Sequence, residues 1–228
     1  MRDGDREGDA SRVAHGGSRL TFDIYLVGVG GQGILTIGEI IATAGFRKGI
    51  PVNFYPIKGM AQRGGFVRAQ LRMGRETVGP SIPEKGADLI VATEVSETLK
   101  AVRYIKPGRD GVGYNVILFG SVWAPTAVML GKAPYPSLEQ VTEHVQAAGG
   151  TLLYIAPEGL PTYKGAPVPD NIYVLGVALS QTRLSKILDA ADVADVVKNR
   201  WKRGVERNLF AFEAGLQAQT RVGVTAVV

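Results

Sequence analysis

Phe22-Asp23-Ile24-Tyr25-Leu26-Val27-Gly28-Val29-Gly30-Gly31-Gln32-Gly33-Ile34 is the stretch that decides the fold. Its first half is an apolar, β-prone run. After it, Ile34, Ile37, Ile41 and Ala44 recur at helical spacing. The glycines therefore stand where a strand turns into a helix. Gly28, Gly30 and Gly33 fit G-x-G-x-x-G, with Gly31 as an additional glycine. Glycine there lets the backbone turn tightly and come close to a ligand, and the free N–H groups of a helix start favour an anion such as a phosphate. The same residues also suit a βα turn that needs glycine for packing alone, and the pattern does not separate the two readings.

Upstream, residues 1–20 mix Asp, Arg, Gly and Ser with little hydrophobicity and read as a flexible arm that orders against a partner. Downstream, a helix is expected over 31–48, ended by Gly49 and Pro51, with a second strand over 52–55. A Rossmann site for NAD places an Asp or Glu about 20 residues beyond its glycines, to hold the ribose. Here Pro51-Val52-Asn53-Phe54-Tyr55-Pro56-Ile57-Lys58 contains no acid, and the next is Glu76. An independent NAD enzyme is disfavoured, while NADP or another ligand stays open.

Lys58-Gly59-Met60-Ala61-Gln62-Arg63-Gly64-Gly65 follows, glycine-rich and carrying two cations. It leads into a strand over 66–73 that alternates Val67, Ala69, Leu71 and Met73 with Arg68, Gln70 and Arg72. Lys58, Arg63, Arg68, Arg72 and Arg75 make the densest basic stretch of the chain. It reads either as a solvated strand face or as a cationic loop beside the glycine turn, facing a shared anion or an acidic partner. Arg63 stands out, because flanking glycines aim one side chain and pack little core.

Further on, residues 87–93 read as a buried strand, with Glu94 at its carboxyl end and a helix over 95–105. Glu94 is either a crevice residue or an acid satisfying a helix N-terminus. A strand is expected over 116–119, then a proline-containing connection over 123–136. Ser137 and Gln140 form a capping box for a helix over 138–148, and a strand follows over 151–155. Residues 157–169 hold four prolines and look like a surface excursion. Residues 171–179 fit helix or strand. The end is helical over 189–201 and 205–216, with Val205, Leu209, Phe212 and Leu216 on one face, before a short apolar tail over 222–228 that suits packing on a neighbouring chain. Alternating strands and helices imply an α/β, Rossmann-like three-layer domain with a mainly parallel sheet. With no internal repeat or linker, the simplest organisation is an arm (1–20), one α/β domain (21–217) and a tail (218–228).

The totals restrict function. At 45% hydrophobic and 21% charged, the composition is that of an ordinary soluble globular protein. No apolar run reaches the length of a membrane span, and the polar N-terminus lacks a secretory h-region. The chain has no cysteine, which excludes a disulfide framework, a Cys-ligated zinc and a thiolate-held iron–sulfur cluster within it, and a cytoplasmic location is expected. His15 and His144 suggest neither a metal site nor a catalytic base. The net charge of +5 is compatible with nucleic acid, an anionic cofactor or an acidic partner, and its interspersed charges make nucleic acid the least favoured.

Several stretches together resemble one family, the gamma subunits or domains of the 2-oxoacid:ferredoxin oxidoreductases, and among them most the small beta subunit of indolepyruvate:ferredoxin oxidoreductase. They are Gly28-Val29-Gly30-Gly31-Gln32-Gly33-Ile34-Leu35, Gly59-Met60-Ala61-Gln62-Arg63-Gly64-Gly65, Gly86-Ala87-Asp88 with Glu94 and Glu97, Tyr135-Pro136, Asn171 with Leu175-Gly176, and Glu206-Arg207-Asn208 with Ala211-Phe212 and Gly215. Two departures are Gly79-Pro80-Ser81, where the family often has Ser-Pro, and Phe119-Gly120, where it often ends the strand in Asn.

The resemblance implies a supporting subunit. Thiamine diphosphate and iron–sulfur clusters sit on partner subunits, which decarboxylate the 2-oxoacid, pass electrons to ferredoxin or an NAD-linked acceptor, and hand the acyl group to coenzyme A. This chain lacks a thiamine diphosphate motif, Arg109-Asp110-Gly111 not qualifying, and offers no acid, base or nucleophile constellation. No catalytic residue is expected on it, and the isolated chain is expected to be inactive. The candidate cofactor-binding residues are Gly28, Gly30, Gly31, Gln32, Gly33, Lys58, Gly59, Met60, Gln62, Arg63, Gly64 and Glu94, lining a crevice at the subunit interface close to the cofactor or coenzyme A. An aryl 2-oxoacid such as indolepyruvate or phenylglyoxylate is the expected substrate. The competing reading is a self-contained nucleotide-binding dehydrogenase.

Overall fold

The computed structural model describes residues 20–59, 64–108, 113–218 and 226–227, with backbone alone at Lys58, Ala226 and Val227. The arm, His15, Met60, Gln62, Arg63, Arg109-Asp110-Gly111 and most of the tail lie outside the described residues. In chain order the elements are β1 (Phe22–Val29), α1 (Ile34–Arg47), β2 (Val52–Lys58), β3 (Phe66–Met73), β4 (Leu89–Ala92), α2 (Val95–Ala101), β5 (Val116–Phe119), α3 (Thr126–Met129), α4 (Leu138–Ala147), β6 (Leu152–Ile155), β7 (Thr162–Tyr163), β8 (Ala166–Pro167), α5 (Asp170–Gln181), α6 (Ala190–Arg200), α7 (Val205–Leu216) and β9 (Ala226–Val227).

Seven strands form one sheet in the order β2-β3-β1-β4-β5-β6-β9, and β7 and β8 make a separate hairpin. β1, β4, β5, β6 and β9 are parallel neighbours, whereas β3 is antiparallel to both β2 and β1. Six strands therefore point one way and β3 alone points the other. The expected mainly parallel α/β sheet is present, and the reversal of β3 is its one exception.

Side-chain alternation along β1 divides the interior into two cores. Ile24 and Leu26 pack with Ile37, Ile40 and Ile41 of α1 and with α5, α6 and α7, while Tyr25 and Val27 face the side covered by α2 and α4. Helices thus lie on both faces. The capping box of α4 is as expected, with Gln140 N donating to Ser137 Oγ at 3.2 Å and Ser137 N to Gln140 Oε1 at 2.9 Å. Its His144 is exposed.

Four local differences have tertiary causes. The helix expected over 95–105 ends at Ala101 and tightens into a 3-10 turn over Val102–Tyr104, which lets Ala87 and Ile105 bridge. The ambiguous segment 171–179 is helical because α5 is clamped by α7, burying every residue from Ile172 to Leu179. In the surface excursion 157–169 the chain folds back on itself as the β7–β8 hairpin. Ala226 and Val227 of the apolar tail pair with Tyr154 and Ile155, so these two residues cover this chain's own sheet edge.

Arg72 is no solvated side chain. It is buried against Asp23 in a two-point ion pair, Nε to Oδ1 at 3.1 Å and Nη2 to Oδ2 at 3.2 Å. Its Nη1 donates to the carbonyls of Gly79 and Ser81, both at 3.1 Å. The departure at 79–81 therefore supplies the backbone acceptors that complete a buried guanidinium, which is costly to bury unless paired and hydrogen-bonded.

Candidate functional site

The chain leaves β1 through α1 toward β2 on one side, and β4 through α2 toward β5 on the other. The gap between the carboxyl ends of β1 and β4 is thus the point where strand order reverses, the place where open α/β sheets bind ligands. The glycine turn follows β1 there, and Thr93 and Glu94 follow β4.

The reversal of β3 brings the second glycine segment to the same place. Because β3 starts at this pole, Phe66 pairs with Val29, and Gly64-Gly65 lies against the turn. Gly30 N donates to Gly65 O at 2.8 Å, and Gly64 N to Gly30 O at 3.4 Å. Gly59 N donates to Phe66 O at 3.1 Å, so the loop leaves and re-enters the sheet beside the turn.

The glycines of the turn serve different needs. A side chain at Gly28 would collide with Thr93 Oγ1, so that glycine permits strand packing. Gly31 has φ +103° with open space around it, and Gly33 has φ +69° against Asn171. Helix α1 has no side-chain cap and no acid in its first turn. The N–H groups of Gly31, Gly33, Ile34, Leu35 and Thr36 have no backbone partner among the described residues. An uncapped helix start under an open glycine is chemically suited to an anion.

Gln32 is a staple. Its Oε1 accepts from Val29 N and Thr93 Oγ1, both at 2.9 Å, and its Nε2 donates to Ser121 Oγ at 2.6 Å. Ser121 Oγ donates in turn to Thr93 O. One side chain thus ties together the carboxyl ends of β1, β4 and β5. Glu94 is wholly buried and caps α2, its Oε2 accepting from Glu97 N at 2.7 Å and Ser96 Oγ at 2.8 Å. Its Oε1 accepts from Trp123 N at 3.0 Å and from the Tyr135 hydroxyl. Of the two roles open to Glu94, the helix cap is the one its contacts fill. Burial, then the Glu94 carboxylate, push the Tyr135 phenol well above its usual range.

Glu97 is the incompletely hydrogen-bonded member of the group. Oε1 accepts from Lys100 Nζ at 2.7 Å, but Oε2 is buried with no hydrogen-bond partner among the described residues. Burial raises its pKa, the Lys100 pairing only partly opposing this. Lys100 Nζ also sits 4.7 Å from the centroid of Phe66, the residue that follows the glycine loop. Across the turn, Asn171 Nδ2 donates to Gly33 O at 3.3 Å, and burial pushes Asp170 up.

The structure therefore brings together Gly28, Gly30, Gly31, Gln32, Gly33, Gly59, Gly64 and Glu94; Lys58 ends β2 at the same pole. Thr93, Ser121 and Trp123 belong to the same constellation and were not singled out from sequence. Thr93 and Ser121 carried a usable signal, each being a hydroxyl residue at the carboxyl end of a strand. Trp123 carried none, since its contact with Gly64 depends on a fold-back. No group of His, Asp or Glu suited to a metal occurs among the described residues.

Residues 23–218 match the model of the pyruvate ferredoxin/flavodoxin oxidoreductase family. The chain belongs to that family. It is 34% identical over 199 residues to the indolepyruvate oxidoreductase subunit IorB of Pyrococcus horikoshii, covering 86% of this chain and 95% of that one. In fold it is similar to pyruvate oxidoreductase subunit PORC of Thermotoga maritima, with a TM-score of 0.59, 20% identity, and coverage of 86% of this chain and 96% of that one. It is also similar to part of a 2-oxoglutarate:ferredoxin oxidoreductase from Magnetococcus marinus solved with 2-oxoglutarate, coenzyme A and succinyl-CoA bound, with a TM-score of 0.50, 19% identity, and coverage of 86% of this chain and 30% of that one. The self-contained nucleotide-binding dehydrogenase finds no support among members of the pyruvate ferredoxin/flavodoxin oxidoreductase family. No helix of the described residues is long and apolar enough to cross a membrane.

Proposed function

We propose that this chain is the non-catalytic gamma-type subunit of a cytoplasmic, multi-subunit 2-oxoacid oxidoreductase that converts an aryl 2-oxoacid such as indolepyruvate to its acyl-CoA. Residues 21–217 act as one domain, with 1–20 an arm and 218–228 a tail. Iron–sulfur clusters belong to partner subunits, because this chain has no thiolate to hold one, and thiamine diphosphate belongs to a partner because no stretch of this chain resembles a motif for it. Electrons leave the complex for ferredoxin or an NAD-linked acceptor. The role of this chain is to shape the crevice beside the cofactor or coenzyme A.

The observation that carries this reading is the pairing of Gly30 with Gly65 over the gap between β1 and β4. It aligns two glycine segments, an uncapped helix start and the base of a cationic loop. The phosphates of coenzyme A match that chemistry, with backbone amides and the Lys58 and Arg63 cations as donors. Arg63→Ala in the assembled complex tests it. The KM for coenzyme A rises about tenfold or assembly weakens, in line with loss of one charge-assisted contact. A complex that assembles and turns over normally reduces the loop to scaffold. The isolated chain, incubated with 2-oxoacid, coenzyme A, thiamine diphosphate and an artificial acceptor, shows no turnover.

A further inference from the structure

Glu97 sits one turn ahead of Lys100 on α2, its side chain 8% exposed against 54% for the lysine. Oε1 takes its one bond from the Lys100 ammonium, and Oε2 is buried without a donor among the described residues. A buried carboxylate with so few donors is costly to keep ionised. Among those residues Lys100 is the only donor that supports the charged form.

The same ammonium faces the Phe66 ring, 4.7 Å from its centroid; Arg68, the second cation near that ring, lies farther off at 6.0 Å. Phe66 opens β3 and closes the second glycine segment onto the sheet. Its carbonyl accepts from Gly59 N at 3.1 Å, and the carbonyl of neighbouring Gly65 accepts from Gly30 N at 2.8 Å. Lys100 thus joins two partners of different kinds. The carboxylate gives it a charge-assisted bond, the ring a weaker attraction. A long, exposed side chain regains rotamer freedom in water, so it stays on the ring while the carboxylate restrains it.

The other charges around α2 have partners of their own or none within reach. Glu94, the second charge that acts on Glu97, opposes its ionisation and is bonded to the Tyr135 hydroxyl. From β1, Asp23 meets Arg72 and Tyr25 meets Arg68. Arg103 of the 3-10 turn lies 3.9 Å from Glu84. β4 and β5 carry no ionisable side chain. α4 buries Val141 and Val145, while its Glu139, Glu143 and His144 are exposed.

We propose that Glu97 and Lys100 form a proton-operated clamp on the Phe66 end of the second glycine segment. With Glu97 ionised, Lys100 is held against the ring and Phe66 is fixed beside Gly65. When Glu97 takes up a proton, its bond to Lys100 loses one of its two charges. The ammonium turns to water, and the hydrogen bonds made by Gly59 N and Gly30 N open more often. Burial favours the protonated carboxyl and Lys100 opposes it, so the change comes at a pH above the ordinary carboxylate value. The coupling is reciprocal: a proton weakens the clamp, and the closed clamp holds the proton off. No ligand or partner subunit takes part, so the clamp and the subunit role stand or fall separately.

Amide hydrogen exchange on the full chain tests the clamp. Between pH 8 and pH 5, corrected for the intrinsic rate, protection at the Gly59 and Gly30 amides falls about fivefold, while protection at Leu175 in α5 holds. Glu97→Gln keeps both glycine amides at their pH 5 level throughout. Lys100→Met, a change at an exposed side chain, does the same, and Lys100→Arg restores the pH response. Lys100→Met also raises the pH at which the Glu97 carboxyl carbon titrates in NMR spectra, because its donor is gone. A natural chain that keeps its protection over this range overturns the clamp, as does a Glu97→Gln or Lys100→Met chain that responds as the natural one does. A parallel fall at Leu175 is general loosening and overturns it as well.

Discussion

Two places among the described residues require glycine, and they do so for opposite reasons. Where α5 crosses α7, Gly176 and Gly215 meet backbone to backbone: a Cβ on Gly176 would lie 2.9 Å from Gly215 Cα and still closer to Phe212 O, and one on Gly215 would strike Tyr173 O. Neither has an unusual φ; hydrogen is simply the only side chain that fits between two packed helices. At the carboxyl pole, Gly31 has open space around it and a φ no side chain adopts easily. Gly176 and Gly215 are glycine for want of room, Gly31 for freedom of the backbone. In sequence the two look alike; only their surroundings separate a packing glycine from one that leaves a surface open.

The comparison breaks most visibly at the crossing. Gly176→Ala is expected to cost about 3 kcal/mol in urea denaturation, because backbone atoms cannot move aside as a flexible side chain can. A cost near zero would mean that the helices separate freely. Gly33→Ala combines a left-handed φ with a contact to the Asn171 amide, a movable group, and is expected to cost about 2 kcal/mol. Gly31→Ala meets no atom, so its cost is the conformational strain alone, about 1 kcal/mol. If Gly31 serves an anion, this variant also raises the KM for coenzyme A in the assembled complex, whereas Gly176→Ala leaves that KM alone in whatever fraction folds.

A pH series sharpens the contrast, since the helix crossing carries no charge while the carboxyl pole includes Glu97. Glu97 holds its proton more tightly folded than unfolded, so its contribution is complete below the titration of the unfolded carboxylate. That contribution is lost as pH rises through the raised folded value. Glu97→Gln is therefore expected to raise the thermal midpoint at pH 8 and leave it nearly unchanged at pH 4, flattening the profile, while Gly176→Ala shifts the midpoint at every pH. The smallest effect is expected at Gly79, which has neither a positive φ nor a neighbour in the way. Gly79→Ala stays within about 0.5 kcal/mol of the natural chain.

Much of the architecture was legible in the residues. Strand spans 66–73 and 116–119 and helix span 205–216 follow from local alternation and helical spacing, and the observed elements have the same bounds. The site was legible only in part. The sequence pattern puts Gln32 among ligand-facing residues, and in the fold its amide joins Val29, Thr93 and Ser121, a role set by strands far apart in sequence. Local alternation puts Arg72 on a basic face, whereas its pairing with Asp23 comes from the neighbouring strand.

By itself, then, the sequence determined the periodicities, the strand–glycine–helix unit at the start and the absence of any cysteine chemistry, because each of these depends on near neighbours or on composition. The tertiary structure decided that β3 runs backward through the sheet, that Gly65 consequently lands on Gly30, and that Glu94 spends its oxygens on Ser96, Glu97, Trp123 and Tyr135. Strand direction is set by which edges bury the most apolar surface, and a buried acceptor is claimed by whichever donors the fold carries to it. Both depend on residues remote in sequence, which no local pattern encodes.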